Sequence, residues 1–266
     1  MKKIAYTLTA LMAVMAFSCG SDDDAGNGGN NTDVYLPLDN GNYWVYDTTT
    51  ESTDGSADSS GRDSLYVAND TVIGTNTYKK FKTLAAATGF YSGSLSGNGV
   101  RLSDGKLLVT GSTSVAVSAD IPFSIAITDF AFFDANATSG QQIGSTSGSF
   151  QQTIEGLPLT FTYTLKTTAG DDAESLTVNG SNYTNIKTVL TTLTLKITLD
   201  TFSLTMLPQQ DVVVSTQYFA QGVGVVKTST DITYNLADFS SLGITLPIPQ
   251  SGSAHQDEVL DTYSVD

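Results

Sequence analysis

Thr192-Leu-Thr-Leu-Lys-Ile-Thr-Leu-Asp200 decides the fold class. Every second residue is apolar: Leu193, Leu195, Ile197 and Leu199. Thr192, Thr194, Lys196 and Thr198 stand between them. A period of two belongs to a β-strand with one dry and one wet face, whereas a helix repeats near 3.6. Threonine suits the wet face because its β-branch fits the pleat and its hydroxyl tolerates water. The same alternation runs through Phe161, Tyr163 and Leu165, and through Ile121, Phe123, Ile125 and Ile127. Upstream, Ile186 and Leu190 are in the opposite phase to Leu193, which predicts a bulge or turn near Thr191.

Turn residues separate such runs. Asp104-Gly105 stands between Val100-Arg101-Leu102 and Leu107-Leu108-Val109, a two-residue hairpin signal. Asn179-Gly180 reads the same way, and Asn69-Asp70 is expected to turn the chain between Val67 and Val72. Gly222 and Gly224 mark a bulge or turn after Tyr218-Phe219. Asp47 to Gly61 and Ala135 to Ser149 read as polar loops. The pattern predicts roughly eleven to thirteen strands and no amphipathic helix, with one helical turn at most, over Asp238 to Gly243. The expected fold is all-β: a single antiparallel curved sheet or open half-barrel over residues 34–266, the alternative being a two-sheet sandwich.

The composition excludes several function classes. The chain has 266 residues with 27 acids against 12 bases, one cysteine and one histidine. A lone cysteine forms no internal disulfide, and a Cys/His zinc site needs more ligands than one of each. A net charge of −15 opposes binding of nucleic acid through its phosphates. Nothing indicates a cofactor: no phosphate-cradling glycine motif stands between a strand and a helix.

The first residues read as an address. Lys2 and Lys3 precede an apolar stretch that is too short and too polar for a spanning helix. Ala16-Phe17-Ser18-Cys19 resembles a bacterial lipoprotein lipobox, departing from it at Ala16, where leucine is usual. The resemblance implies a signal peptide over residues 1–18 and acylation of Cys19, with palmitate among the expected acyl groups. Residues Ser21, Asp22, Asp23 and Asp24 look like the acidic export signal of Bacteroidetes surface lipoproteins. Residues 19–33 would then be an acylated, flexible Gly/Asn tether. Removing Lys2 and Lys3 leaves 27 acids against 10 bases, a net −17.

Three passages resemble a group of small β-rich Bacteroidetes lipoproteins. Tyr35-Leu-Pro-Leu-Asp-Asn-Gly-Asn-Tyr-Trp-Val-Tyr-Asp47 resembles its opening motif. Leu176-Thr-Val-Asn-Gly-Ser-Asn-Tyr-Thr-Asn-Ile-Lys-Thr-Val189 resembles its central hairpin, and Tyr218-Phe-Ala-Gln-Gly-Val-Gly-Val-Val-Lys227 its closing motif. The resemblance implies a half-barrel like that of lipoprotein carriers, with an apolar concave face and no assigned activity. The chain departs from that fold in showing no helix to plug the concave side.

Little in the sequence carries catalysis. A Ser/His/Asp triad would have to use His255, which reads as a solvated tail residue. Glu155 and Glu174 are not marked as a facing carboxylate pair. Asp47, Glu51, Asp54, Asp58 and Asp63 lack the spacing of a calcium loop and read as solvated. Trp44 reads as a core anchor, with a sugar-stacking platform as the alternative. The expectation is therefore an outer-membrane lipoprotein on the cell surface, or alternatively on the periplasmic face. It binds rather than catalyses. An apolar or lipidic ligand on the concave face is favoured over a structural, adhesive or glycan-binding module, and a hydrolase ranks last. The competing view of the concave face is a filled core.

Overall fold

The computed structural model describes residues 34–52, 57–116, 122–154, 156–239 and 249–266. Cys19, Ser21, Asp22, Asp23 and Asp24, with the tether, lie outside the described residues. Thirteen strands are present among the described residues. They are β1 (Tyr43–Ser52), β2 (Ser59–Ile73), β3 (Asn76–Thr83), β4 (Gly99–Ser103), β5 (Lys106–Ala116), β6 (Pro122–Asp134) and β7 (Gln142–Ile154). There follow β8 (Leu157–Ala169), β9 (Ala173–Val178), β10 (Ser181–Leu199), β11 (Leu204–Ala220), β12 (Gly224–Asn235) and β13 (Ser251–Ser264). One short helix, α1 (Phe90–Leu95), lies between β3 and β4.

All strands belong to one antiparallel sheet, ordered β6-β5-β4-β3-β2-β1-β13-β12-β11-β10-β8-β7, with β9 added to β10. The first and last strands pair in the middle of this order, and the sheet curls into a barrel that is nearly closed. Its seam falls between β6 and β7, consecutive strands that share no ladder. Side chains bridge it instead. Phe123, Phe150 and Phe161 cluster at one end with ring centroids 5.0–6.0 Å apart. At the other, Phe133 meets Phe219 at 4.5 Å. Between them the Thr167 hydroxyl donates to the Ala131 carbonyl at 2.7 Å. Gly144 permits this approach, because a Cβ there would overlap the Ala131 carbonyl.

The alternation read from the sequence sets which face is buried. Leu193, Leu195 and Ile197 on β10, Phe161 and Leu165 on β8, and Phe123 and Ile125 on β6 all point into the core. Trp44 is fully buried, and its Nε1 donates to the Val223 carbonyl at 2.6 Å. Asp104 (φ 52°) and Gly105 (φ 77°) form the expected hairpin turn, as do Asn179 (φ 51°) and Gly180 (φ 79°).

Several local expectations are corrected. Asn69-Asp70 does not turn the chain: β2 continues to Ile73 with a bulge between Val67 and Asn69, and the turn comes at Gly74-Thr75. The irregularity expected near Thr191 falls two residues on and on one side only: β10 keeps register with β8 from Val189 to Leu199 but shifts against β11 between Leu193 and Thr194. Most of Asp47 to Gly61 and of Ala135 to Ser149 is strand. Of the turn expected over Asp238 to Gly243, Asp238 is not helical and residues 240–243 lie outside the described residues. The largest correction is α1, a helix on the concave side where none was expected.

Candidate binding site inside the barrel

A polar row crosses the concave wall. Gln217 on β11, Thr228 on β12, Glu258 on β13, Thr48 on β1 and Gly61 on β2 are successive cross-strand partners. Glu258 and Thr228 have no solvent exposure, and Asp63, two residues beyond Gly61, is 2% exposed. Partners in an antiparallel ladder share a face, so this row points inward as a unit.

The chain from Thr88 to Ser92 lies on that row and donates every one of its main-chain N–H groups to a side chain. Thr88 and Gly89 donate to Asp63, at 2.8–3.0 Å. Phe90 donates to Gln256 Oε1 at 2.7 Å. Tyr91 and Ser92 donate to Glu258, which also accepts the Ser92 hydroxyl at 2.8 Å. Those of Gly89 to Ser92 are the four N–H groups that a helix start leaves without intrahelical partners. A helix of six residues is too short to persist alone, so the sheet side chains fix it. Two glycines allow the approach: a Cβ on Gly89 would overlap the Glu258 carboxyl, and one on Gly61 would meet the Thr88 and Thr48 hydroxyls.

Burial pushes the Glu258 carboxyl up to about 7, against the pull of the Tyr91 and Ser92 hydrogen bonds, and the nearby Asp63 carboxylate adds to the rise. Burial likewise raises the Tyr91 phenol, with Glu258 contributing.

The far side of α1 faces an apolar cavity of about 60 Å³. Phe90 and Leu95 of α1 line it, with Ile125, Ile127 and Phe130 of β6 and Leu193 of β10. A cavity of about 150 Å³ is what accepts a benzene molecule, so the concave side is largely packed, and α1 supplies much of the packing.

The acids of the 47–63 stretch do not converge. Asp47 pairs with Arg62, which also holds Asp261. Asp58 accepts the Ser52 N–H at 3.2 Å, and Asp63 points inward to α1. Asp54 lies outside the described residues, as does Glu155. Glu174 stands exposed on β9. Among the described residues no three acidic, histidine or cysteine side chains form a metal-ligand group.

His255 is not in a tail. It sits in β13 opposite Asp231 of β12 and Glu51 of β1. Its Nδ1 is 2.7 Å from Asp231 and its Nε2 3.5 Å from the Ser229 hydroxyl. These are hydrolase residue types, gathered on one strand surface. β12 is paired on both sides, which spends its N–H groups in ladders and leaves none for an oxyanion. The Asp231 hydrogen bond, with Asp257 and Glu51 nearby, also raises the imidazole pKa.

Compared with family models, curated proteins and solved structures, the chain matches none.

The buried carboxylates were missed in the sequence. Asp63 read as part of a solvated loop, and Glu258 was not singled out. The available signal was Glu258 followed by Val259-Leu260, where an acid takes the inward phase of an apolar strand.

Proposed function

We propose that the chain is an outer-membrane lipoprotein, tethered through acylated Cys19 and displayed on the cell surface, that binds an apolar ligand inside its barrel without catalysing a reaction. The apolar cavity walled by α1 supports this reading as the opening of a site that widens when α1 moves, since about 60 Å³ is too small for the ligand itself. It lies within an otherwise packed interior, next to an element that side chains hold rather than a ladder. The lipobox-like Ala16-Phe17-Ser18-Cys19 and the acids at Asp22 to Asp24 support the address. Burial of Trp44 removes the aromatic that would have stacked on a sugar, which weighs against the glycan-binding alternative.

The test is native mass spectrometry of protein isolated from its own membranes, together with titration of the apolar fluorophore N-phenyl-1-naphthylamine. A co-purified small apolar molecule or saturable fluorophore binding is expected. Ligand-free protein in repeated preparations, with no saturable binding, would replace this reading with that of a filled structural barrel.

A further inference from the structure

Asp63 and Glu258 are buried carboxylates to which no base comes: among the described residues, none of the ion pairs includes either. A buried acid without a cation is costly unless donors surround it. Here the donors belong almost wholly to one short piece, the Thr88–Ser92 main chain with its two hydroxyls. A second observation points to the same place. The Thr228 hydroxyl, directly opposite Glu258 in the ladder and fully buried, has no hydrogen-bond partner, and neither has the buried Tyr91 hydroxyl.

We propose that α1 occupies the site of an amphiphilic ligand with an apolar body and a cationic, N–H-donating head, which displaces α1 and seats its head on Asp63 and Glu258 and its body against Ile125, Ile127, Phe130 and Leu193. This rests on the apolar-ligand reading and adds the head-group chemistry. Once α1 leaves, the row keeps its acceptors and loses its donors. An ammonium supplies three N–H groups and a positive charge; a carboxylate head would add a third acid to two that are already buried. The apolar body regains the area that α1 covered. Loss of α1 also enlarges the cavity beyond its present volume, which is too small for a chain-length ligand.

Ionisation of Glu258 strengthens the preference for a cation. The titratable groups that face Glu258 are Asp63 from β2, Tyr46 from β1 and Tyr91 from α1, none of them basic. The head-group preference is therefore larger above the Glu258 pKa than below it.

The probes are dodecylamine and dodecanoate, below their micellar concentrations at about pH 8, added to the full chain carrying Cys19→Ala so that no acyl group competes. Affinity is read by displacement of N-phenyl-1-naphthylamine, and plug release by hydrogen exchange over residues 84–96. The amine should bind at least about tenfold tighter than the acid. That ratio should collapse in Glu258→Gln, and the Thr88–Ser92 amides should exchange faster when the amine is bound. Equal or tighter dodecanoate binding, an unchanged ratio in Glu258→Gln, or amides that stay protected would each overturn the proposal while leaving apolar binding intact. If neither probe binds, the apolar-ligand reading itself fails. Should Glu258→Gln not fold, the wild-type ratio and exchange still decide.

Discussion

Asp63 and Glu258 reach the same run of main chain from two strands that both border β1, and between them they accept the N–H groups of Thr88, Gly89, Tyr91 and Ser92. This arrangement explains how a segment with little helical tendency becomes an interior element. Between its ends, where the Leu84 and Gly97 N–H groups donate to the Ser64 and Phe81 carbonyls, the segment from Leu84 to Gly97 has no ladder partner. Its order comes from burial of Tyr91 and Leu95 in the core and from hydrogen bonds to side chains on the wall, each contributing about 1 kcal/mol, more where the acceptor is charged.

Gly89 and Gly93 lie one helical turn apart and should respond in opposite ways to the same change. In Gly89→Ala the new methyl overlaps the Glu258 carboxyl, so α1 has to lift from the wall. The nearest neighbour of a Cβ at Gly93 is 3.9 Å away, an ordinary contact. Gly89→Ala should cost about 2–4 kcal/mol, whereas Gly93→Ala should be neutral or stabilising by about 0.5–1 kcal/mol. Urea unfolding of both variants checks this, and equal effects would show that α1 is not docked through Glu258.

Stability should fall as pH rises through the range in which Glu258 ionises. Its pKa is about 7 in the folded chain, against 4.5 as a reference. Between those values the folded state binds more protons than the unfolded one, so ΔG of unfolding declines with rising pH, by up to about 3 kcal/mol, and levels off above about 7. His255 also has a raised pKa, held by Asp231. Its stabilisation is complete below the unfolded value of 6.5 and is lost as pH rises through the folded one. The two groups act in the same direction over different windows. Glu258→Gln should flatten the lower part of the profile and His255→Gln the upper part. Urea midpoints measured from about pH 4 to 9 separate them; a wild-type profile that rises over the lower window would contradict the assignment.

Strand content was legible where one face is dry and the other wet. Phe123, Ile125, Phe161, Leu165, Leu193 and Leu195 fall in phase and are buried as read. The far half of β2 was not legible because Ala68 to Ile73 is exposed or half-exposed on both faces, which leaves no alternation to read. Asn69-Asp70 there marks a bulge rather than a turn, with the Asn69 amide donating to the Asp70 carbonyl. α1 escaped because Phe-Tyr-Ser-Gly-Ser-Leu is too short for a 3.6 period and depends on acceptors that are distant in sequence. Asp63 is 25 residues from Thr88, and Glu258 is 166 from Ser92. No local pattern encodes such a contact.

Trp44 should report on the barrel end that it anchors. Gly224 has a φ of +119°, and a Cβ there would lie 2.8 Å from Trp44 Nε1. Gly224→Ala should therefore push the indole off Val223 and cost about 2–4 kcal/mol. Trp44→Phe leaves the Val223 carbonyl without its donor and should cost about 1–3 kcal/mol. As the chain's single tryptophan is fully buried, native emission should be blue-shifted and protected from acrylamide. Red-shifted, quenchable emission in the folded wild type would place Trp44 at the surface instead.

The proposed address separates into two steps that different residues should control. In that proposal anchoring rests on acyl chains at Cys19, each buried methylene contributing about 0.8 kcal/mol, and no contact made by the barrel is expected to substitute for them. Cys19→Ala should move the protein from the membrane to the soluble fraction and abolish labelling by a palmitate analogue. In the same proposal display rests on the charge that follows the cysteine. Changing Asp22, Asp23 and Asp24 together to Asn keeps the size and polarity of the tether and removes only its charge. That variant should stay membrane-bound and labelled, yet become resistant to protease added to intact cells. Retention of the Cys19→Ala protein on the membrane would overturn the anchor. Unchanged protease sensitivity of the Asn variant would leave the anchor standing and overturn the acidic export signal.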